Sequence, residues 1–296
     1  MIFINYYDEI KNELVNNEIT KKVKDYSKNR SDLTTYYNVG KLLSEAGKHY
    51  GEGIIKEYSK RLTSEFGKGY TPTRLRYFRR FYEVLIKHPT LSDKLSYSHY
   101  CELIWFDIDK INYYIKIAEE QNLSVRELRQ RIKNNEYERL DESTKEKLKE
   151  KEKLKLPDLV KNPIQIKNTS GNNEISEKVL QKLILEDIPS FLKELGSGFS
   201  FIDNEYKIKM GDSYNYIDLL LFNIEYNCYV VVELKVSELK KEHIGQIEFY
   251  MNYIDKNLKN INQNKIIGII ICKKENRYVI EYCSDDRIIS REYELI

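Results

Sequence analysis

The chain has 296 residues, of which 49 are Lys or Arg and 47 Asp or Glu, giving a formal charge of +2 at pH 7. With 41% hydrophobic and 32% charged residues it has the profile of a folded globular protein of about two domains, and no apolar run approaches the roughly 18 residues of a membrane span. The first residues show no basic-then-apolar leader, and Cys101, Cys228, Cys272 and Cys283 form no CxxC pair, which argues against a disulfide framework or thiolate zinc site and for a cytoplasmic location.

Residues 1–140 read as helices, with no strand-like alternation. A helix is expected from Asp8 to about Lys28, and a second over Asp32–Lys48 with Leu33, Tyr36, Tyr37, Gly40 and Leu43 at helical spacing. A third, from about Ile54 to Phe66, ends in the Gly67-Lys68-Gly69 turn. Thr71-Pro72 then opens a fourth, with Thr as cap and Pro in the first turn. After a break at His88-Pro89 come short helices near Ser98–Trp105 and Lys110–Gln121. Ser124-Val125-Arg126-Glu127 is a capping box that starts one more, to about Asn134.

Charge is unevenly spread along this order. Residues 51–100 carry ten Lys/Arg against five Asp/Glu, whereas residues 201–250 carry five against nine. The near-neutral total is a cancellation, and the two halves are expected to do different jobs. The basic surplus gathers on the fourth helix, where Leu75, Phe78, Phe81, Tyr82 and Leu85 share one face and Arg76, Arg79, Arg80 and Lys87 the other. Preceded by a glycine turn, it resembles the second helix of a helix-turn-helix unit. Its cations are expected to hold nucleic-acid phosphates, unless they are the solvated face of a packed helix. Arg126, Arg129, Arg131 and Lys133 form a weaker second surface. The 25 tyrosines suit stacking on bases, ordinary packing, or simple codon bias equally.

Residues 141–170 are read as a charged linker, closed by Pro157 and Pro163 and a Ser/Gly/Asn patch, so that residues 1–140 and 171–296 are the two domains. Past it the pattern changes. A long helix is expected from about Glu174 to Leu195, then strands at Phe199–Ile202, Tyr206–Met210, Tyr214–Phe222 and Cys228–Val236. A helix over about Glu242–Leu258 and strands at Lys265–Cys272 and Tyr278–Tyr282 complete an α/β domain with a mixed sheet.

Two carboxylates interrupt this domain's apolar strands, Asp218 and Glu233. A hairpin turning symmetrically about Glu225-Tyr226 pairs residues whose numbers sum to 451, so Phe222 faces Tyr229, Leu220 faces Val231 and Asp218 faces Glu233. Period-two alternation puts Lys235 on the face of Glu233. Like charges opposed across strands repel, and a divalent cation between them is one resolution, Mg²⁺ or Mn²⁺ suiting such hard oxygen ligands. A buried salt bridge between Lys235 and one acid is the other. Glu177 and Gln181 fall on the apolar face of the preceding helix, near its start, either at a frayed end or aimed at the carboxylates. Gln246 and Tyr250 form an i,i+4 pair on the following helix. Of the histidines, His99 is read as structural and His243 as a helix-start residue.

These residues, together with Gly198-Phe199, Tyr216-Ile217-Asp218, Glu233-Leu234-Lys235, Gly245-Gln246, Phe249-Tyr250 and Ile267–Lys273, resemble the YhcG-type PDDEXK nucleases. Tyr50-Gly51, Phe81-Tyr82, Leu95–His99 and Ser124–Leu128 are similar to that family's N-terminal domain. The resemblance implies an α+β protein: an all-α domain followed by a restriction-endonuclease-like fold that hydrolyses nucleic acid, DNA first, with Mg²⁺ or Mn²⁺. It implies Asp218, Glu233 and the Leu234 main-chain carbonyl as metal ligands, with Glu177 as a further candidate because Gln181 stands where many relatives carry an acid. It further implies Lys235 as the residue that positions water, and Gln246 and Tyr250 near the nucleic-acid backbone. A homodimer, and a non-catalytic nucleic-acid-binding scaffold that keeps the fold, stay open.

Overall fold

The computed structural model describes residues 6–22, 28–87, 92, 94–150, 152–169, 171, 174–283 and 285–296. The expected break at His88-Pro89, the end of the first helix over 23–27 and residues 170, 172 and 173 of the polar patch lie outside them. The chain divides into two compact units, residues 1–137 and 138–296.

The first unit holds α1 (Tyr6–Lys22), α2 (Lys28–Tyr50), α3 (Ile54–Phe66), α4 (Pro72–Lys87), α5 (Tyr97–Leu103), α6 (Ile108–Glu120) and α7 (Val125–Lys133). The caps form as expected: Arg74 N donates to Thr71 Oγ1 at 3.3 Å, and Ser124 and Glu127 exchange their reciprocal bonds. Helix α4 buries Leu75, Phe78, Phe81, Val84 and Leu85, each side chain contributing about 1.5–3 kcal/mol relative to exposure. Tyr36 stacks on Phe78 at 4.5 Å and Tyr97 meets Phe81 edge-on at 5.3 Å. Tyr7, Tyr100 and Tyr114 are almost fully buried, so much of the tyrosine content of this unit is core. Helices α2 and α4 approach closely at Gly40, where a Cβ would lie 2.1 Å from the Phe78 carbonyl oxygen. His99 is structural, its ring nitrogens engaging Ser96 and the Leu123 carbonyl.

The second unit starts earlier than the sequence pattern suggests. The charge-dense stretch folds as α8 (Glu142–Glu150), α9 (Leu156–Leu159) and a short strand β1 (Ile164–Ile166). Leu156, Val160, Ile164 and Ile166 enter this unit's core, and Arg139 pairs with Glu194. A stretch read as a linker is therefore packed: its few apolar residues enter the core, and charged ones pair within the fold, as Lys147 does with Asp158.

The expected single helix over 174–195 is instead α10 (Glu177–Glu186) and α11 (Ile188–Leu195). Asp187, at φ −140°, separates them and accepts a hydrogen bond from Ser190 N, with Pro189 in the first turn of α11. The two strands expected over 199–210 are one, β2 (Phe199–Met210), carrying an irregularity between Phe201 and Asp203. Next come β3 (Ser213–Asn223), β4 (Cys228–Glu238), α12 (Lys241–Asn257) and β5 (Ile267–Lys274). Residues 278–282, read as a strand, lie in a helix, α13 (Arg277–Cys283), and the last strand is β6 (Ile288–Leu295).

The sheet order is β1-β6-β5-β4-β3-β2, parallel from β1 to β4 and antiparallel from β4 to β2. One face packs on α10 and α11 through Leu180, Ile184, Phe191, Leu219, Val230 and Ile271. The other packs on α12 through Ile247, Met251, Ile217, Val231 and Ile270. The fold is thus α+β overall, a helical unit followed by a helix-covered mixed sheet. No helix among the described residues is long and apolar enough to cross a membrane.

Candidate active site

Strands β3 and β4 pair as the sum rule requires, Phe222 with Tyr229, Leu220 with Val231 and Leu219 with Val232. The ladder stops there. Instead of meeting Glu233 through backbone pairing, Asp218 turns its carboxylate onto β4 and accepts a hydrogen bond from Leu234 N at 2.7 Å. That bond fixes one Asp218 oxygen beside Glu233.

Glu233 is 2% exposed. Lys235 Nζ donates to its Oε1 at 2.7 Å, while its Oε2 is buried with no hydrogen-bond partner among the described residues. Helix α10 brings up the remaining groups. Glu177 lies 3.7 Å from Lys235 Nζ, and the buried Gln181 donates from Nε2 to the Asp218 main-chain carbonyl at 3.1 Å. Both point into the site rather than away from it. Gln181 holds the backbone, and Glu177 holds the lysine.

Three carboxylates thus surround one ammonium, a local excess of two negative charges. Burial, then the Asp218 charge, pushes Glu233 up to about 7, against the pull of Lys235. Burial also raises Asp218 above the usual carboxylate range, opposed by the Leu234 N–H. At Lys235 burial works toward a lower value, but Glu233, Glu177 and Asp218 together hold it above the ordinary lysine range, so it stays protonated at neutral pH. Among the described residues no three His, Cys, Asp or Glu converge as a ready cation cage. Glu177 faces the lysine rather than completing a third ligand. What the residues offer is a pair of oxygen ligands, one with an orphaned buried oxygen, in a region short of positive charge. That donor set fits a hard divalent cation that keeps several waters.

Helix α12 closes the other side. Gln246 Nε2 donates to Tyr250 OH at 3.1 Å. Burial raises the Tyr250 hydroxyl, and Glu233 and Asp218 add to the rise, which places it on the carboxylate side. His243 acts at the helix start, accepting from Lys240 N at 3.2 Å. Burial, followed by the Lys235 and Lys240 charges, lowers its pKa from the ordinary imidazole value. One acid was not anticipated. Glu205 on β2 is flanked by the pairs Asn204–Leu219 and Tyr206–Ile217, opposite Asp218, whose pKa it helps raise, and it sits at φ +48°. A charged residue in an edge strand reads as solvent-facing, so the sequence held no signal for it.

On the helical unit the four α4 cations expected to hold phosphates divide. Arg79 makes a two-pronged contact with Glu52 at 2.8 Å and also pairs with Glu83. Arg80 donates to the Ile104 carbonyl at 3.0 Å. Arg76 and Lys87 are exposed and without a partner among the described residues. On α7, Arg129 pairs with Glu102 and Arg131 with Glu136, leaving Arg126 and Lys133 open to solvent.

Residues 157–295 match the YhcG PDDEXK nuclease domain, and residues 9–139 match the DUF1016 N-terminal domain. The chain is 23% identical to the "Putative nuclease YhcG" of Escherichia coli (strain K12), over 95% of this chain and 88% of that protein. Among solved structures it is similar to a repair endonuclease from Pyrococcus abyssi, at 18% identity over 43% of this chain and 49% of that one, with a TM-score of 0.28. It is also similar to the EndoMS-dsDNA2 complex, at 18% identity over 44% and 48%, with a TM-score of 0.29. These likenesses span about half the length of those solved chains.

Proposed function

Because the chain belongs to the YhcG-type PDDEXK family, we propose that it is a metal-dependent endonuclease that hydrolyses phosphodiester bonds of DNA. Asp218, Glu233 and Lys235 are the catalytic residues of this reading. The observation that carries it is Glu233 Oε2, buried with no hydrogen-bond partner among the described residues in a site where two further carboxylates, Asp218 and Glu177, share a single ammonium. Lys235 engages one oxygen of this carboxylate, and the other, with no hydrogen-bond partner among the described residues, is the one this reading assigns to the metal.

Hydrolysis at phosphorus needs a placed water, relief of charge on the non-bridging oxygens and a proton for the leaving oxygen, the last of which solvent water supplies. Asp218 and Glu233, with the Leu234 carbonyl, would hold Mg²⁺ or Mn²⁺, which when bound supplies a water of lowered pKa and neutralises phosphate charge. The Lys235 ammonium orients the attacking water and donates to the charge growing on a phosphate oxygen. Glu177 keeps that ammonium in place, and Gln181 locks the strand that carries Asp218. Gln246 and Tyr250 donate toward the phosphate backbone beside the site. On the helical unit, Arg76 and Lys87, exposed and without an ion-pair partner among the described residues, are the phosphate contacts of this reading.

The test is cleavage of plasmid, linear duplex, branched and single-stranded DNA with Mg²⁺, Mn²⁺ or chelator. Wild type is expected to cleave only with metal, and Asp218→Ala and Glu233→Ala to lose at least about a hundredfold in rate. Equal background from all three proteins would overturn the catalytic reading. Binding without cleavage or metal uptake would point to a scaffold.

A further inference from the structure

Helix α13 leaves two tyrosines, Tyr278 and Tyr282, 75% and 74% exposed one turn apart. They are more open than the other exposed tyrosines among the described residues, Tyr50, Tyr214 and Tyr216, which are about half exposed. Its position is fixed by the sheet. Strands β4 and β5 run parallel in the register Lys235–Cys272 and Glu238–Lys274. Leu239 N donates to the Lys274 carbonyl at 2.9 Å, and Asn276 Nδ2 to Glu238 Oε1 at 3.0 Å. The chain entering α13 therefore runs beside the residues that follow Lys235, about 10 Å along the strand from it.

The same end of the sheet is rich in free cations. Lys240, Lys241, Lys273 and Arg277 are exposed, and among the described residues none has a carboxylate partner. Lys274 is the fifth, 4.0 Å from Glu238. The acids here are Glu238, engaged by Lys274 and Asn276, Glu275, engaged by Ser290 and Asn162, and Glu292, which accepts from Glu275 N, with Glu242 and Glu281 exposed. A surface of open aromatic rings among unpaired cations suits a polyanion with free π-faces. Duplex DNA offers the phosphates, but its base faces are covered by their neighbours. Only unpaired nucleotides offer both.

We propose that Tyr278 and Tyr282, with Lys240, Lys241, Lys273 and Arg277, form a stacking platform for unpaired nucleotides of the substrate next to the cleavage site. This rests on the nuclease reading of the carboxylate site and adds the substrate class: ends, flaps or forks that present single-stranded nucleotides.

The full chain is titrated in chelator, so that nothing is cut, with labelled single-stranded, forked and blunt-duplex oligonucleotides of matched length. Wild type, Tyr278→Ala/Tyr282→Ala and Tyr278→Phe/Tyr282→Phe are compared. The alanine pair is expected to weaken binding of the single-stranded and forked probes by about tenfold or more, leaving the blunt duplex within about twofold. The phenylalanine pair keeps the rings and should bind as wild type does. Unchanged affinity of the alanine pair for all probes, or equal loss on all of them, would overturn the platform. Cleavage separates the two readings. If wild type cuts but the tyrosines do not matter, only the platform falls; if the ring-dependent preference holds while nothing is cut, only the catalytic reading falls.

Discussion

Lys235 donates to one oxygen of Glu233 at 2.7 Å while the other oxygen of that carboxylate is buried with no hydrogen-bond partner among the described residues. The pair is a salt bridge through one oxygen only. Its electrostatics set the first expectations.

With its folded pKa raised to about 7, Glu233 contributes stability that is fully present below the ordinary carboxylate value and is lost as pH rises through 7. Glu233→Gln keeps the shape and removes the charge. In chelator, wild type should therefore weaken relative to Glu233→Gln between pH 5 and pH 8, by on the order of 2–3 kcal/mol. Urea unfolding at both pH values measures it; parallel curves would show that the carboxylate is not strained.

Metal uptake should displace the same proton. Binding of Mn²⁺ is expected to release about one proton at pH 6 and almost none at pH 8.5. Calorimetry in buffers of different ionisation heat reads this number directly, and a pH-independent value would place the titrating group elsewhere.

Gln181 donates to the Asp218 carbonyl, a bond that a carboxylate cannot make. Gln181→Glu should lower metal-free stability by about 1–3 kcal/mol, through a lost buried hydrogen bond and a fourth negative charge. Saturating Mn²⁺ should recover part of that loss, whereas Gln181→Ala should show no such recovery. Thermal unfolding with and without Mn²⁺ distinguishes the two.

On α4 the cations should separate by role. Reversing Arg76 and Lys87 to Glu is expected to weaken DNA binding across sequences and flatten its salt dependence with little change in melting temperature. Arg79→Glu faces Glu52 and Glu83 and should lower the melting temperature. A binding loss confined to Arg79→Glu would reverse the assignment.

At the crossing of α2 and α4, Gly40→Ala would force a Cβ against the Phe78 carbonyl. It should destabilise the protein by at least about 2 kcal/mol, read as a lower midpoint in urea.

Much of the site was legible because it depends on local rules. A short turn sets the hairpin register, so Leu219 through Asn223 find Val232 through Cys228. Period two then puts Glu233 and Lys235 on one face, and caps at Thr71 and Ser124 start their helices where the side chains dictate. These relationships span a few residues, and backbone geometry fixes them whatever the rest of the chain does.

Other features depended on partners far along the chain. Strand β6 was not anticipated because Ser290, Arg291 and Glu292 break its apolar run. In the fold Arg291 is satisfied by the Val160 carbonyl and Asp141, and Ser290 by Glu275. Residues 278–282 carry β-prone side chains, yet they form a helix whose tyrosines stay in water. Glu177 and Gln181 could have frayed at a helix end until packing of α10 on the sheet turned them toward Lys235 and Asp218. The sequence by itself determined the hairpin, its two acids and its lysine. Tertiary structure alone decided which carboxylate oxygen goes unpaired, since desolvation and the satisfaction of buried polar groups are properties of everything packed around them, not of neighbours in the chain.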